Sequence, residues 1–257
     1  MKREHAGRLA LARGVPDSYV RCERPANFVD EIDIGLARRQ HEAYCSALES
    51  AGLRLTILPA DERFPDCCFV EDTSIVLGGS AIITIMGAPS RHGEEVAVGR
   101  TLEDHLSIKR IIPPGTVDGG DVLVINDSVF IGVGERTNAE GARQVAALAG
   151  PRFRVTPVPL EGVLHLKSAC TYVGDGHLLL RPGHFDERIF DDYDLIEVPQ
   201  DEAYAANCLS LGSRVLVSEG YPRTREAIEA HGFETRTLEM SEFRKGQGSL
   251  TCLSKIF

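Results

Sequence analysis

Tryptophan is absent from this 257-residue sequence, and aromatic residues make up only 6% of it. Lys and Arg never form a cluster of five or more, and Asp and Glu outnumber them 38 to 28, for a formal charge of −10. A chain with that balance has no cationic stripe to track phosphates, so nucleic acid is excluded as a partner. No apolar run approaches the ~18 residues of a membrane span. Leu9-Ala10-Leu11-Ala12 is cut short by Arg13 after a charged start, which excludes a signal peptide and leads us to expect a cytoplasmic protein. The seven cysteines include no C-x-x-C pair. Zinc knuckles and thioredoxin-type motifs therefore have no support, and an odd count argues against a disulfide framework. The dinucleotide-binding G-x-G-x-x-G, the P-loop, G-x-S-x-G and H-E-x-x-H are also missing.

What is present is an ordinary globular composition, 43% hydrophobic and 26% charged, with a repeat beneath it. Four stretches share one pattern: a β-rich run, a Gly/Asp/Asn turn, a second β-run and a polar turn, with a helical stretch after it. They begin at Phe69, Asp118, His165 and Asn207, and their hairpin tips are Gly78-Gly79, Asn126-Asp127, Gly174-Asp175-Gly176 and Gly212-Ser213. Helices are expected near 33–50, 92–106, 138–149 and 222–231. A further strand is expected at each of 54–58, 109–112, 154–158, 195–198 and 234–238. Glu71, Asp118 and His165 are spaced by 47 residues each, with Asn207 following after 42 and Cys252 after another 45. Each of these residues then stands near the start of the first hairpin strand of its unit. A fifth unit combines residues 7–13 with the helix near 33–50, and residues 249–257 supply the strand that pairs with the N-terminus. Units that cannot bury their own apolar face stack about an axis. We therefore expect one domain over residues 1–257, a five-bladed α/β propeller of ββαβ repeats with pseudo-fivefold symmetry.

If the like-placed residues face that axis, a Cys, a His and carboxylates converge as nucleophile, proton carrier and orienting group. Cys252 follows Gly246-Gln-Gly-Ser-Leu-Thr, whose glycines let backbone approach a ligand. Most of the other cysteines read as small buried hydrophobes. His165, in Leu-His-Leu-Lys-Ser, is either a hydrogen-bonded core group or the proton carrier. Asp118, in Val-Asp-Gly-Gly-Asp, either shapes a turn or accepts the His165 Nδ1–H. Asp66, Glu71 and Asp72 lie beside an apolar strand and call for a cation. Arg91 and Arg136 each follow a second hairpin strand and suit a carboxylate. Acids in one place and arginines in another describe a zwitterionic ligand with a second cation at its far end, as arginine has.

The motifs carry this further. Arg13-Gly-Val-Pro-Asp, Pro65-Asp-Cys-Cys-Phe-Val-Glu-Asp-Thr, Gly87-Ala-Pro-Ser-Arg, Val117-Asp-Gly-Gly-Asp-Val-Leu, Arg136-Thr-Asn, Leu164-His-Leu-Lys-Ser, Ala206-Asn-Cys and Leu250-Thr-Cys span nearly the whole chain. Together they resemble the dimethylarginine dimethylaminohydrolases, members of the guanidino-group modifying (pentein) superfamily. The resemblance implies Cys252 as nucleophile, His165 as proton donor and Asp118 as its partner. It implies Glu71 and Asp72 on the guanidinium, with Asp66 and Phe69 helping to hold the substrate. It also places Arg91 and Arg136 on the α-carboxylate, with further contacts near Val20, in a short lid loop after Pro16, and Gly246. The implied reaction is hydrolysis of Nω-methylated L-arginine to L-citrulline and an amine through a covalent thiouronium, with no metal or cofactor. Arginine deiminases share the catalytic residues, and another guanidino compound is a second alternative substrate. A non-catalytic propeller module of the ribosome-antiassociation type has no reason to keep these residues. Monomer and homodimer are equally compatible with the sequence.

Overall fold

Runs of three or four apolar residues, each bounded by turn residues, are too short for helices and read as strands. In the computed structural model, which describes residues 8–25, 28 and 30–257, five such runs are the middle strands of three-stranded sheets, and residues 75–77 and Val122–Ile125 are antiparallel strands beside two of them. Gly7 and the charged N-terminal residues lie outside the described residues. The chain divides into two compact bodies, Met1–Val70 with Cys208–Phe257, and Glu71–Asn207.

The first body holds two sheets. One is built from β1 (Leu9–Arg13), β2 (Arg54–Leu58) and β15 (Lys255–Ile256); the other from β12 (Leu209–Leu211), β13 (Arg214–Ser218) and β14 (Glu234–Leu238). The second body holds three: β3–β4–β5 (Ser74–Leu77, Ser80–Ile83, Ser107–Arg110), β6–β7–β8 (Val122–Ile125, Ser128–Val133, Arg154–Pro159) and β9–β10–β11 (Cys170–Gly174, His177–Leu180, Asp194–Glu197). In all five the middle strand runs antiparallel to one neighbour and parallel to the other. This is the ββαβ unit of the expected α/β-propeller (pentein) class. The unit that the N-terminus begins is completed from the other end of the chain, where β15 pairs antiparallel with β1.

Four helices, α1 (Ile34–Ser50), α2 (Glu94–Glu103), α3 (Ala139–Ala149) and α4 (Pro222–Ala230), make the crossovers. The third repeat departs from the pattern. Between β10 and β11 the chain makes only a 3-10 turn, Glu187–Phe190, because Pro182 and Gly183 (φ 90°) interrupt any longer helix. Two parallel strands are shifted from expectation, β5 by two residues and β11 by one, and a short helix α5 (Ser241–Lys245) precedes the Gly-rich segment. The hairpin tips fall where the turn residues stand. Gly78 (φ 59°), Asn126 (φ 54°) and Gly212 (φ 76°) take the left-handed conformation that a two-residue turn requires.

Burial follows strand position. The middle β7 sends Val129 and Ile131 into one core, with Ile75, Ile82 and Val145, and Phe130 into a second core, with Leu178, Leu180 and Phe190. A sheet covered on both faces has no polar side, so its sequence reads as a continuous apolar run. The outer parallel strands are half-exposed and carry charges such as Arg54, Lys109, Arg154 and Glu234, which discourage edge-to-edge pairing with other chains. No helix among the described residues is long and apolar enough to cross a membrane. Ile131→Ala in the middle strand should cost about 2–5 kcal/mol in urea unfolding, whereas Ile57→Thr on the outer β2, where Ile57 is 52% exposed, should change stability by less than about 0.5 kcal/mol.

Candidate active site

Each repeat enters its first hairpin strand through a short 3-10 turn, and the like-placed residues sit on those turns rather than on the strands. Glu71 and Asp72 lie within Val70–Thr73 and Cys252 within Leu250–Leu253. Asp118 and His165 immediately precede Gly119–Asp121 and Leu166–Ser168, and Asn207 immediately follows Gln200–Ala206. A turn ahead of the strand frees these side chains from the alternation of the pleat.

In the Glu71–Asn207 body, Asp72, Asp118 and His165 are buried together. His165 Nε2 lies 3.1 Å from Asp118 Oδ2, and Asp118 Oδ1 accepts the Gly87 N–H at 2.7 Å. The expected Nδ1 contact is thus replaced by Nε2. The cause is Gly120: a Cβ there would stand 2.8 Å from both His165 Nδ1 and Asp72 Oδ1, so the missing side chain lets the Nδ1 edge of the ring lie against main chain. Asp72 accepts the Gly120 N–H on Oδ1 (2.9 Å) and Arg91 Nη1 on Oδ2 (2.7 Å). Arg91 is in turn held by Glu94, with Nη2 at 2.9 Å. Lys167 forms an ion pair with Glu71 and donates to the Gly119 carbonyl at 3.2 Å. Arg136 is also buried, and its Nε has no hydrogen-bond partner among the described residues.

These contacts fix the charges. Burial works against the His165 cation, yet Asp72, Asp121 and Asp118 outweigh it and raise its pKa to about 9. Burial also opposes ionisation of Asp72, but the positive charges of His165 and Arg91 hold its carboxyl well below the usual carboxylate range. Burial pushes Asp121 up to about 7. Asp72, Asp118 and His165 present donor atoms within 4.8 Å of one another, the geometry a metal ion could use. Each carboxylate oxygen already has one partner, Asp72 meeting Gly120 and Arg91 and Asp118 meeting Gly87 and His165.

The other body carries the thiol. All seven cysteines are free, and Cys252 alone of them is not fully buried. The Ser249 N–H donates to its Sγ, with N and S 3.4 Å apart, within a capping box. The preceding glycines have a packing reason. A Cβ at Gly248 would collide with the Phe69 ring and one at Gly246 with the Tyr19 hydroxyl. Tyr19, Phe69 and Phe243 stack edge-to-face and tilted beneath this loop, with centroids 5.8–6.2 Å apart. Phe69 is therefore a support under the cysteine loop. Asp66, buried, accepts the Glu23 N–H at 3.0 Å. Val20 stands exposed on the 3-10 turn Asp17–Arg21, whose first two N–H groups are held by Glu62 at 2.8 Å each.

Comparison with known proteins finds relatives along almost the whole chain. A family described as N,N dimethylarginine dimethylhydrolase, eukaryotic, matches residues 23–255. The N(G),N(G)-dimethylarginine dimethylaminohydrolase of Pseudomonas aeruginosa is 42% identical over 228 residues, 88% of this chain and 90% of that protein. The chain belongs to the dimethylarginine dimethylaminohydrolase family. A crystal structure of a dimethylarginine dimethylaminohydrolase histidine-to-glycine variant as its adduct with S-methyl-L-thiocitrulline superposes with a TM-score of 0.93 at 39% identity, covering 96% of this chain and 98% of that one. The Pseudomonas aeruginosa cysteine-to-serine variant complexed with citrulline gives a TM-score of 0.91 at 38% identity, with the same coverage.

Lys167, Glu94, Gly120, Asp121 and Thr137 complete the buried cluster and carry no spacing signal in the sequence. Lys167 stood in the quoted Leu-His-Leu-Lys-Ser segment, two residues from His165, and Asp121 is the second acid of Asp-Gly-Gly-Asp. Both were visible, but neither had a spacing that marked it. The His165 shift makes a stability prediction. The folded state holds its proton up to about 9, above the ~6.5 of an unfolded histidine. Its contribution is therefore complete below about pH 6.5 and is lost as the pH climbs through 9. Urea midpoints should fall across that window for the native chain, and His165→Gln should flatten the fall.

Proposed function

We propose that this chain hydrolyses Nω-methylated L-arginine to L-citrulline and methylamine or dimethylamine, as one catalytic domain over residues 1–257. The observation that carries the reading is a buried histidine that keeps its proton at neutral pH against Asp118, because an amine leaves a guanidinium only if it is protonated as it goes. In this reading the Cys252 thiolate attacks the central guanidinium carbon and forms a C–S bond. His165 gives its proton to the departing amine nitrogen, the C–N bond breaks, and a thiouronium remains. Neutral His165 then takes a proton from water, whose oxygen adds to the same carbon. Collapse expels the thiolate and leaves citrulline.

The charges assign the remaining roles. Asp72 already holds one guanidinium, that of Arg91, and Glu71 holds an ammonium, that of Lys167. Both acids stand on the one Val70–Thr73 turn and already face cations, so this is the surface a substrate guanidinium would meet, sharing the carboxylates with Arg91 and Lys167. Arg136, with its buried unpartnered Nε, takes the substrate α-carboxylate. Arg91, bridging Asp72 and Glu94, steadies Asp72 first and adds to the carboxylate contact second. Asp66 and the main chain near Val20 and Gly246 supply further substrate contacts, and Phe69 supports the cysteine loop. Seven free thiols suit a reducing, cytoplasmic location.

A citrulline assay against asymmetric dimethylarginine, monomethylarginine, arginine and agmatine tests the assignment. Product from the methylated arginines is expected; turnover of arginine alone would overturn the substrate in favour of a deiminase. Cys252→Ser should lower citrulline formation by ~1,000-fold or more while substrate still binds; wild-type turnover by that variant would remove Cys252 from the chemistry. Arg136→Leu should raise KM for dimethylarginine ~100-fold, about 2.8 kcal/mol of lost charge-assisted hydrogen bonding. The same change should leave agmatine, which lacks the carboxylate, nearly unaffected.

A further inference from the structure

One buried acid in the Glu71–Asn207 body is used by none of these steps. Asp121 is 1% exposed and makes no ion pair among the described residues, yet its two oxygens bind both flanks of the His165–Asp118 pair. Oδ1 accepts the N–H of Leu166, the residue after His165, at 3.0 Å. Oδ2 accepts the Thr137 hydroxyl at 2.6 Å, and that same hydroxyl oxygen accepts the Asp118 N–H at 3.1 Å. A chain of three hydrogen bonds therefore runs from the Asp118 main chain through Thr137 and Asp121 to the His165 segment. The site admits no slack: a Cβ on Gly132, in β7, would come within 2.9 Å of Asp121 Oδ1 and 3.1 Å of Leu166 Cβ.

We propose that Asp121, linked through Thr137, is a positioning residue that locks Asp118 and His165 in register and adds an anionic charge to those of Asp118 and Asp72 around the imidazole. The proposal rests on the reading of His165 as proton donor. It adds that the donor is set by a charge whose hydrogen bonds run to Thr137 and Leu166 rather than to the ring. Apolar packing could hold two turns together at lower desolvation cost, since burying a lone carboxyl is expensive. Keeping an acid here costs stability and is repaid only if its charge acts on a neighbour. The charged groups bearing on His165 are Asp118 from its own pairing, Asp72 from the Val70–Thr73 turn and Asp121 from the Gly119–Asp121 turn. Asp72 is partly neutralised by Arg91, and Glu71 by Lys167. Among the described residues, that leaves Asp121 as a carboxyl whose cation is His165. It ionises near pH 7, before His165 releases its proton near 9, so its charge is in place over the range in which the imidazolium must persist.

Asp121→Asn keeps the size and one acceptor but removes the charge. Imidazole NMR of ligand-free protein, with His165→Gln used to assign the resonance, should show the His165 midpoint fall by about one pH unit. The basic limb of kcat/KM for dimethylarginine should move down with it. We expect kcat to drop ~10–100-fold and KM to stay within ~3-fold, the split of an interaction that acts on the chemical step. Thr137→Val breaks the link without changing charge. It should lower kcat and leave the His165 midpoint in place, and Thr137→Ser should restore kcat. An unchanged His165 midpoint in a folded Asp121→Asn protein would overturn the electrostatic part. Wild-type kcat in Thr137→Val would overturn the positioning part, and this second arm stands if Asp121→Asn fails to fold. If the native chain makes no citrulline, the functional reading fails, while the NMR midpoints still decide what Asp121 does to His165.

Discussion

The contact on which the rest depends is the buried meeting of His165 with Asp118, set among Asp72 and Asp121. An imidazolium out of water is stable only where anions surround it, and those anions are tolerable only because it is positive. Each further feature answers that mutual need. Arg91 neutralises Asp72, Glu94 fixes Arg91, and Lys167 meets Glu71. Main-chain N–H groups from Gly87 and Gly120 bond the second oxygen of Asp118 and of Asp72. The glycines belong to the same logic, since main chain can approach ring and carboxylate this closely only where no side chain intervenes.

The thiol is supported by a different kind of physics. Cys252 stands at the end of a loop laid over aromatic rings, with Gly246 and Gly248 permitting the approach and Ser249 holding the sulfur. One body thus concentrates charge and the other presents a nucleophile on apolar footing. A cysteine needs partial exposure and a nearby donor to react, whereas a proton donor needs burial and anions to keep its proton. The repeated sheet serves both demands. It delivers a 3-10 turn at the same point in every unit, and the unit's identity at that turn decides what chemistry it brings.

Much of this was legible along the chain. The five units, their tips and four of their helices were visible because middle strands buried on both faces must be apolar throughout, and two-residue turns demand Gly, Asn or Asp. The even spacing of Glu71, Asp118 and His165 marked them as equivalent before any coordinates. The missing third helix was less legible, because Pro182 and Gly183 announce an interruption but not its length. Lys167, Asp121 and Thr137 were not legible as a group. Their roles lie in hydrogen bonds between segments 16–48 residues apart, and no local pattern encodes such partners.

The amino-acid order by itself determined the repeat, the strand and helix types and the residues available for chemistry, since these follow from short-range sterics and the alternation of apolar with polar side chains. Tertiary structure alone decided which nitrogen of His165 faces Asp118, that Arg91 spends its donors on Asp72 and Glu94, and that Arg136 is left with a free one. It also decided that His165 stays protonated. Protonation and pairing depend on the summed charge and solvent exclusion at a point in space, and that sum exists only once distant segments have been brought to it.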